Sequence, residues 1–181
     1  MVGENNLRQS KKIAIVVAGE GFRDEEYFVP KEILEKEGVE IKNVSDKTGV
    51  ARGADGGEVK VDLLVQEINP ADFDAVVFIG GPGALEHLDN EISYKLARAT
   101  IEQGKILAAI CVSPVILAKA GVLKNKKATV WSSALDKGTV KILKEGGAIY
   151  EDENVVIDGK IITANGPSAA QEFGEKILSM L

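Results

Sequence analysis

The one cysteine of the 181-residue chain, Cys111, lies in the run Ala108-Ala109-Ile110-Cys111-Val112-Ser113-Pro114. There a short apolar segment gives way to a proline-led helix start, the arrangement of a nucleophile elbow. At such a turn the helix N-terminus favours negative charge and lowers a thiol pKa, and the adjacent amides are placed to hold a thiolate or an oxyanion. A buried structural cysteine fits the same position, since burial is common for this residue type. Among the carboxylates, Asp24-Glu25-Glu26 follow an apolar run directly, and Glu26 taken alone fits an exposed first-turn helix carboxylate. The amide-rich turn Gly80-Gly81-Pro82-Gly83 lacks both the Lys-Ser/Thr ending of a phosphate loop and the dinucleotide spacing, which excludes nucleotide binding. The sole histidine, His87, follows that turn on a helix starting near Leu85, where solvent exposure is the simpler reading and an approach to the site mouth the other. No His/Cys cluster suggests a structural metal, and no cofactor is expected.

These residues need strands to deliver them. Lys12 to Ala18, Asp74 to Ile79 and Lys105 to Ile110 are β-branched or apolar runs, the pattern of strands buried on both faces of a parallel sheet. Glu26 to Glu37 carries Phe28, Val29, Ile33 and Leu34 at helical spacing, with Pro30 expected in the first turn and Gly38 as the stop. Val39 to Val44 is extended, Gly49 to Gly57 a loop or hairpin, and Leu85 to Gln103 an amphipathic helix. Pro114 to Lys119 is a short helix, Ala128 to Trp131 a strand and Asp136 to Glu145 a helix. Val155 to Asp158 and Lys160 to Ala164 form a hairpin turning at Asp158-Gly159, and a last helix runs from Gly166-Pro167 to Leu181. Strands alternating with helices predict a doubly wound, mostly parallel α/β sheet with helices on both faces. Ligands of such sheets bind beyond the carboxyl ends of the strands, where Gly19 to Glu26, Gly80 to Gly83, Cys111 to Pro114 and Trp131 to Ser133 fall.

Composition narrows the class. With 45% hydrophobic and 28% charged residues, the chain reads as one domain over 12–181 behind a polar tail, residues 1–11. That tail lacks the apolar centre of a secretory signal, no stretch approaches the roughly 18 residues of a membrane span, and a lone cysteine suits a reducing compartment. A cytoplasmic location is expected. A net charge of -6 without a grouped Lys/Arg cluster speaks against nucleic acid or anionic membrane as the partner. A small molecule or a protein substrate is expected instead.

Four segments together resemble the ThiJ/PfpI superfamily, with similarity over Lys11 to Leu181. They are Ala108-Ala109-Ile110-Cys111 with Pro114, Ile79-Gly80-Gly81, Asp24-Glu25-Glu26, and Thr163-Ala164-Asn165-Gly166-Pro167. The resemblance implies a flavodoxin-like fold of the class I glutamine amidotransferase type. It makes Cys111 the reactive cysteine, Glu26 the buried glutamate against its sulfur, and Gly81 and Val112 the donors of an oxyanion-type pair of backbone amides. A carboxylic acid kept neutral by burial can donate a hydrogen bond to a thiolate, so the physics agrees. The sequence departs from the pattern at three places. Val112 stands where the PfpI-type branch carries His, Trp131 where other relatives have a histidine near the cysteine, and Asn165 where relatives often have an arginine before Gly-Pro. Arg23 and Arg52 are candidates to supply the missing cation, and Gly80, Trp131, His87 and Asn165 are candidate lining residues.

The resemblance implies a glyoxalase or deglycase type of chemistry: thiolate attack on a 2-oxoaldehyde, with Glu26 shuttling a proton between carbons. A redox-sensing stress-response protein or chaperone, in which Cys111 becomes a sulfinate held by Glu26 and the Gly81 amide, is the alternative from another class. A PfpI-type intracellular peptidase is a third, and it needs a histidine, from another subunit if from anywhere. The partner implied is a small aldehyde or an oxidant, and relatives' habits imply at least a homodimer.

Overall fold

The computed structural model describes residues 10–181, so most of the tail expected over 1–11 lies outside the described residues. The first strand, β1 (Lys12–Val17), is buried at five of its six residues because both of its faces are covered. Ile13, Ile15 and Val17 pack to one side of the sheet and Ala14 and Val16 to the other, as the two-residue period of a strand requires. After it come β2 (Glu20–Phe22), α1 (Asp24–Lys36), β3 (Glu40–Ser45), β4 (Val50–Gly53), β5 (Glu58–Lys60) and β6 (Leu63–Leu64). The centre of the chain forms β7 (Ala75–Phe78), α2 (Ala84–Leu88), α3 (Glu91–Glu102), β8 (Ile106–Ile110) and α4 (Pro114–Lys119). The last third holds β9 (Lys127–Ala128), α5 (Gly138–Glu145), β10 (Ile149–Tyr150), β11 (Val155–Asp158), β12 (Ile161–Ala164) and α6 (Ala170–Met180).

Seven strands make the main sheet in the order β11-β12-β8-β7-β1-β3-β6. Every neighbouring pair is parallel except β11 with β12. Tyr27 and Leu34 of α1 and Phe173 and Ile177 of α6 fill one face, and side chains of α2, α3, α4 and α5 fill the other. This is the doubly wound, flavodoxin-like α/β architecture expected. A three-stranded sheet, β2-β4-β5, and a parallel pair, β9-β10, lie outside it.

Four expectations need correction. Helix α1 begins at Asp24 rather than Glu26, so Pro30 is an interior residue and not part of the first turn; lacking an N–H, it leaves the Glu26 carbonyl without its helical donor. The segment Leu85 to Gln103 is two helices, because the Asn90 side chain accepts the N–H groups of Ile92 and Ser93 at 3.1 and 3.3 Å and caps a new helix there. Of the run Ala128 to Trp131 only Ala128 is in a strand, β9, since the Trp131 N–H bonds to the Cys111 carbonyl instead. Helix α5 starts at Gly138, two residues late. The hairpin ending at Ala164 is antiparallel as expected, and Gly49 to Gly57 holds β4 and the turn of a hairpin whose second strand, β5, lies just beyond it.

Helices α1 and α6 approach closely because Gly174 has no side chain. A Cβ there would lie 2.9 Å from Pro30 Cα and 3.1 Å from Ile33 Cδ1. Gly174→Val should therefore cost about 2 kcal/mol through overpacking, read as a lower urea midpoint at unchanged slope. An unaltered midpoint would show that the two helices have room to spare.

Candidate active site

Cys111 follows the last residue of β8 and adopts φ = 64°, a left-handed conformation that a non-glycine residue takes only when its surroundings demand it. The surroundings are specific. Its N–H donates to the carbonyl of Ala164 at the end of β12 (2.9 Å), and its carbonyl accepts the N–H of Trp131 (2.8 Å). Ser113 Oγ donates to the Ile79 carbonyl (2.8 Å), tying this turn to the end of β7. Pro114 then opens α4 at a position where no N–H is needed. The thiol residue is 7% exposed, so it meets solvent through a narrow opening.

Glu26 reaches the same point from the first turn of α1 and is fully buried. Its Oε2 accepts the N–H of Gly80 at 3.0 Å, while Oε1 is buried without a hydrogen-bond partner among the protein's donors. Two glycines permit this approach. A Cβ on Gly80 would sit 2.5 Å from Cys111 Cβ and 2.8 Å from Glu26 Oε2, so one virtual methyl group touches both residues. Gly81 has φ = 111°, and a Cβ there would lie 2.3 Å from the backbone nitrogen of Arg23, which itself donates to the Gly80 carbonyl (2.9 Å).

Burial pushes the Glu26 carboxyl up to about 7, against the opposing pull of Cys111, the Gly80 N–H and the Arg23 charge. Burial, then the charge and the hydrogen bond of Glu26, push the Cys111 thiol up to about 12, while the Gly81 and Val112 N–H groups draw it down. This corrects the expectation that the elbow lowers the thiol pKa. The two amides are present as expected, but burial and the neighbouring carboxylate outweigh them. The physical unit is the pair: doubly protonated below about 7 and holding one shared proton above it. In that second state the remaining proton lies between the Cys111 sulfur and the Glu26 carboxylate.

The remaining candidates divide. Trp131 is partly buried, its backbone N–H is bonded to the Cys111 carbonyl, and its Cδ1 lies 3.4 Å from where a Gly166 Cβ would be, which sets the indole against the turn that follows β12. Asn165 is on the same side, with its N–H on the Asn154 carbonyl (3.0 Å). His87 is not brought to the thiol. Its Nδ1 is 3.3 Å from Asp46, past the end of β3 and three strand positions from β8, about 14 Å across the sheet. Arg52 pairs with Glu58 at 3.5 Å and is 66% exposed, whereas Arg23 stands against Gly81 and acts on Glu26. Sequence reasoning missed Asp24, whose oxygens accept the N–H groups of Asp55 (2.9 Å) and Gly57 (2.5 Å) and clamp the β4-β5 hairpin beside the site. The glycines at 53 and 57 were its signal, since a Cβ on either would collide with that carboxylate. Among the described residues no three His, Cys, Asp or Glu side chains gather to hold a metal.

Because the folded protein raises Glu26 from 4.5 to about 7, it binds this proton more tightly than the unfolded chain does. Stability from this group is full below pH 4.5 and declines by about 3 kcal/mol as pH rises to 7. Glu26→Gln should lose that decline, which urea unfolding of both proteins across this pH range would show. Identical pH slopes would mean that Glu26 titrates as a solvated carboxylate.

Residues 11–180 match the DJ-1/PfpI family pattern. Deglycase PfpI of Pyrococcus furiosus is 35% identical over 170 residues, covering 94% of this chain and 99% of that protein. Glutathione-independent glyoxalase DJR-1.2 of Caenorhabditis elegans is 28% identical over 175 residues, 97% of this chain and 91% of its own. The crystal structure of a ThiJ/PfpI domain protein from Brachyspira murdochii superposes with a TM-score of 0.89 at 36% identity, covering 94% of this chain and 96% of the other. An elbow cysteine, a buried glutamate and a two-glycine turn thus sit in a sheet that matches this group along nearly its whole length, and the chain belongs to the DJ-1/PfpI family.

Proposed function

We propose that the protein is a cysteine-dependent enzyme acting on small carbonyl compounds, of glyoxalase or deglycase type, with Cys111 as nucleophile and Glu26 as proton carrier. The observation that carries this reading is the buried pair on either side of Gly80, in which Glu26 keeps one oxygen free of any other partner. The names of the relatives, a deglycase and a glyoxalase, support the same class.

In this reaction the Cys111 sulfur adds to the aldehyde carbon of a 2-oxoaldehyde such as methylglyoxal, and the carbonyl oxygen receives the Glu26 proton to give a hemithioacetal. The Gly81 and Val112 N–H groups, which face the sulfur, are placed to stabilise charge developing beside it. Glu26, now ionised, removes the proton from the former aldehyde carbon and returns it to the neighbouring carbon, while the hydroxyl proton passes from the first carbon's oxygen to the second's, leaving the thioester of the 2-hydroxy acid. Water then releases the 2-hydroxy acid and restores the thiol. One carboxylate acts alternately as acid and base, which a group titrating near 7 is suited to do. Peptide cleavage needs in addition an acid for a poor amine leaving group, and His87 is engaged by Asp46 instead. The competing redox reading, a sulfinate held by Glu26 and the same amides, is supported by the identical geometry, so the test must separate them.

Methylglyoxal turnover, followed as lactate, should vanish in Cys111→Ser, fall roughly a hundredfold or more in Glu26→Gln, and persist in His87→Ala. Since the reactive pair must shed its first proton, kcat/KM should rise as pH passes about 7, and Glu26→Gln should lose that inflection. A protein that produces no lactate yet gains two oxygens on Cys111 with dilute peroxide would replace this reading with the redox one.

A further inference from the structure

Arg23 occupies an unusual place. It is the N-cap residue of α1 but does not use its side chain to cap the helix. Its backbone nitrogen lies against Gly81 and donates to Gly80, so it is built into the same turn that holds the thiol's amides. Its guanidinium charge acts on the buried Glu26 carboxyl. The only carboxylate it pairs with among the described residues is Asp55, at the tip of the β4-β5 hairpin, through contacts from one nitrogen of 3.3 and 3.5 Å. These are long for a charge-assisted pair, which closes to about 2.7–2.9 Å when formed well. Asp55 is moreover 59% exposed and Arg23 35% exposed, so water competes for both. Of the other acids close by, Asp24 has both oxygens occupied by backbone N–H groups, and Glu25 is an exposed residue that opposes ionisation of Glu26.

We infer that Arg23 recognises a carboxylate on the substrate, so that the carbonyl compound processed at Cys111 is a small aldehyde that bears a carboxylate group. Asp55 is the internal carboxylate that the substrate's displaces. The inference rests on the reading of Cys111 as nucleophile and adds to it a second point of attachment at the Gly80-Gly81 turn, into which Arg23 is built. The planar guanidinium offers two parallel donors to a carboxylate, a geometry that Asp55, contacting a single nitrogen, does not use. Arg52, the other candidate cation, stands exposed on the hairpin beside Glu58 at 3.5 Å, whereas Arg23 is the arginine whose charge acts on Glu26.

Iodoacetate and iodoacetamide have nearly the same shape and differ in charge, so the ratio of their rates of Cys111 alkylation reads Arg23 without requiring turnover. Both rates would be followed by intact mass for the wild type, Arg23→Gln, Asp55→Asn and Arg52→Gln at low and high salt. The iodoacetate-to-iodoacetamide ratio should fall about tenfold in Arg23→Gln, rise in Asp55→Asn, stay unchanged in Arg52→Gln, and decrease with salt in the wild type. A reactive thiol whose ratio is the same in wild type and Arg23→Gln overturns this inference alone. A thiol inert to both reagents overturns the nucleophile reading and this inference with it.

Discussion

A buried carboxyl group with a single backbone donor, pressed against a thiol, is an arrangement that an isolated helix and strand would never adopt. Leaving Glu26 ionised there would strand a charge with one hydrogen bond, so the group holds its proton to about pH 7 and the thiol becomes its natural partner. The rest of the structure supplies the force that keeps these groups together. α1 is bonded to the Gly80 turn through Arg23 and packed against α6 through the bare backbone of Gly174. β8 is held between β7 and β12 by parallel ladders whose side chains are buried on both faces.

Strain enters the same account. The positive φ of Cys111 is tolerated because three strand ends grip the elbow: Ile79 through Ser113, Ala164 through the cysteine N–H, and Ile110 through the Ser113 N–H. A side chain pointing up from a left-handed residue stands clear of the helix that follows. The elbow thus presents the sulfur to Glu26 and to the Gly81 and Val112 amides at once.

Much of this was legible from residue order. The apolar runs around Ile15, Val77 and Ala108 announced the buried parallel strands, because only a sheet covered on both faces needs unbroken runs of that kind. Cys111 was marked by the change from apolar run to proline, and Gly80-Gly81 by a glycine-rich turn directly after a strand, whereas the close approach it permits showed only in the fold. Glu26 was legible only through the family resemblance, since its neighbours Asp24 and Glu25 look alike in sequence while burial singles it out. The direction of the thiol's titration was not legible, because it depends on burial, which no local pattern encodes. The break at Asn90 was overridden by continuous amphipathic spacing, and the fate of Trp131 was set by a tertiary bond to Cys111.

The bond from the Cys111 N–H to Ala164 has a bearing on how the molecule is made. The elbow is complete only when β12 is in place beside β8, and β12 is separated from β8 in sequence by α4, α5 and three short strands. Until β12 pairs, the cysteine has no reason to hold its left-handed conformation, and Glu26, on α1, has no fixed sulfur to face. Contacts so distant in sequence form late in folding. The placement of Glu26 against Cys111 is therefore a product of the completed fold and of no smaller part of it.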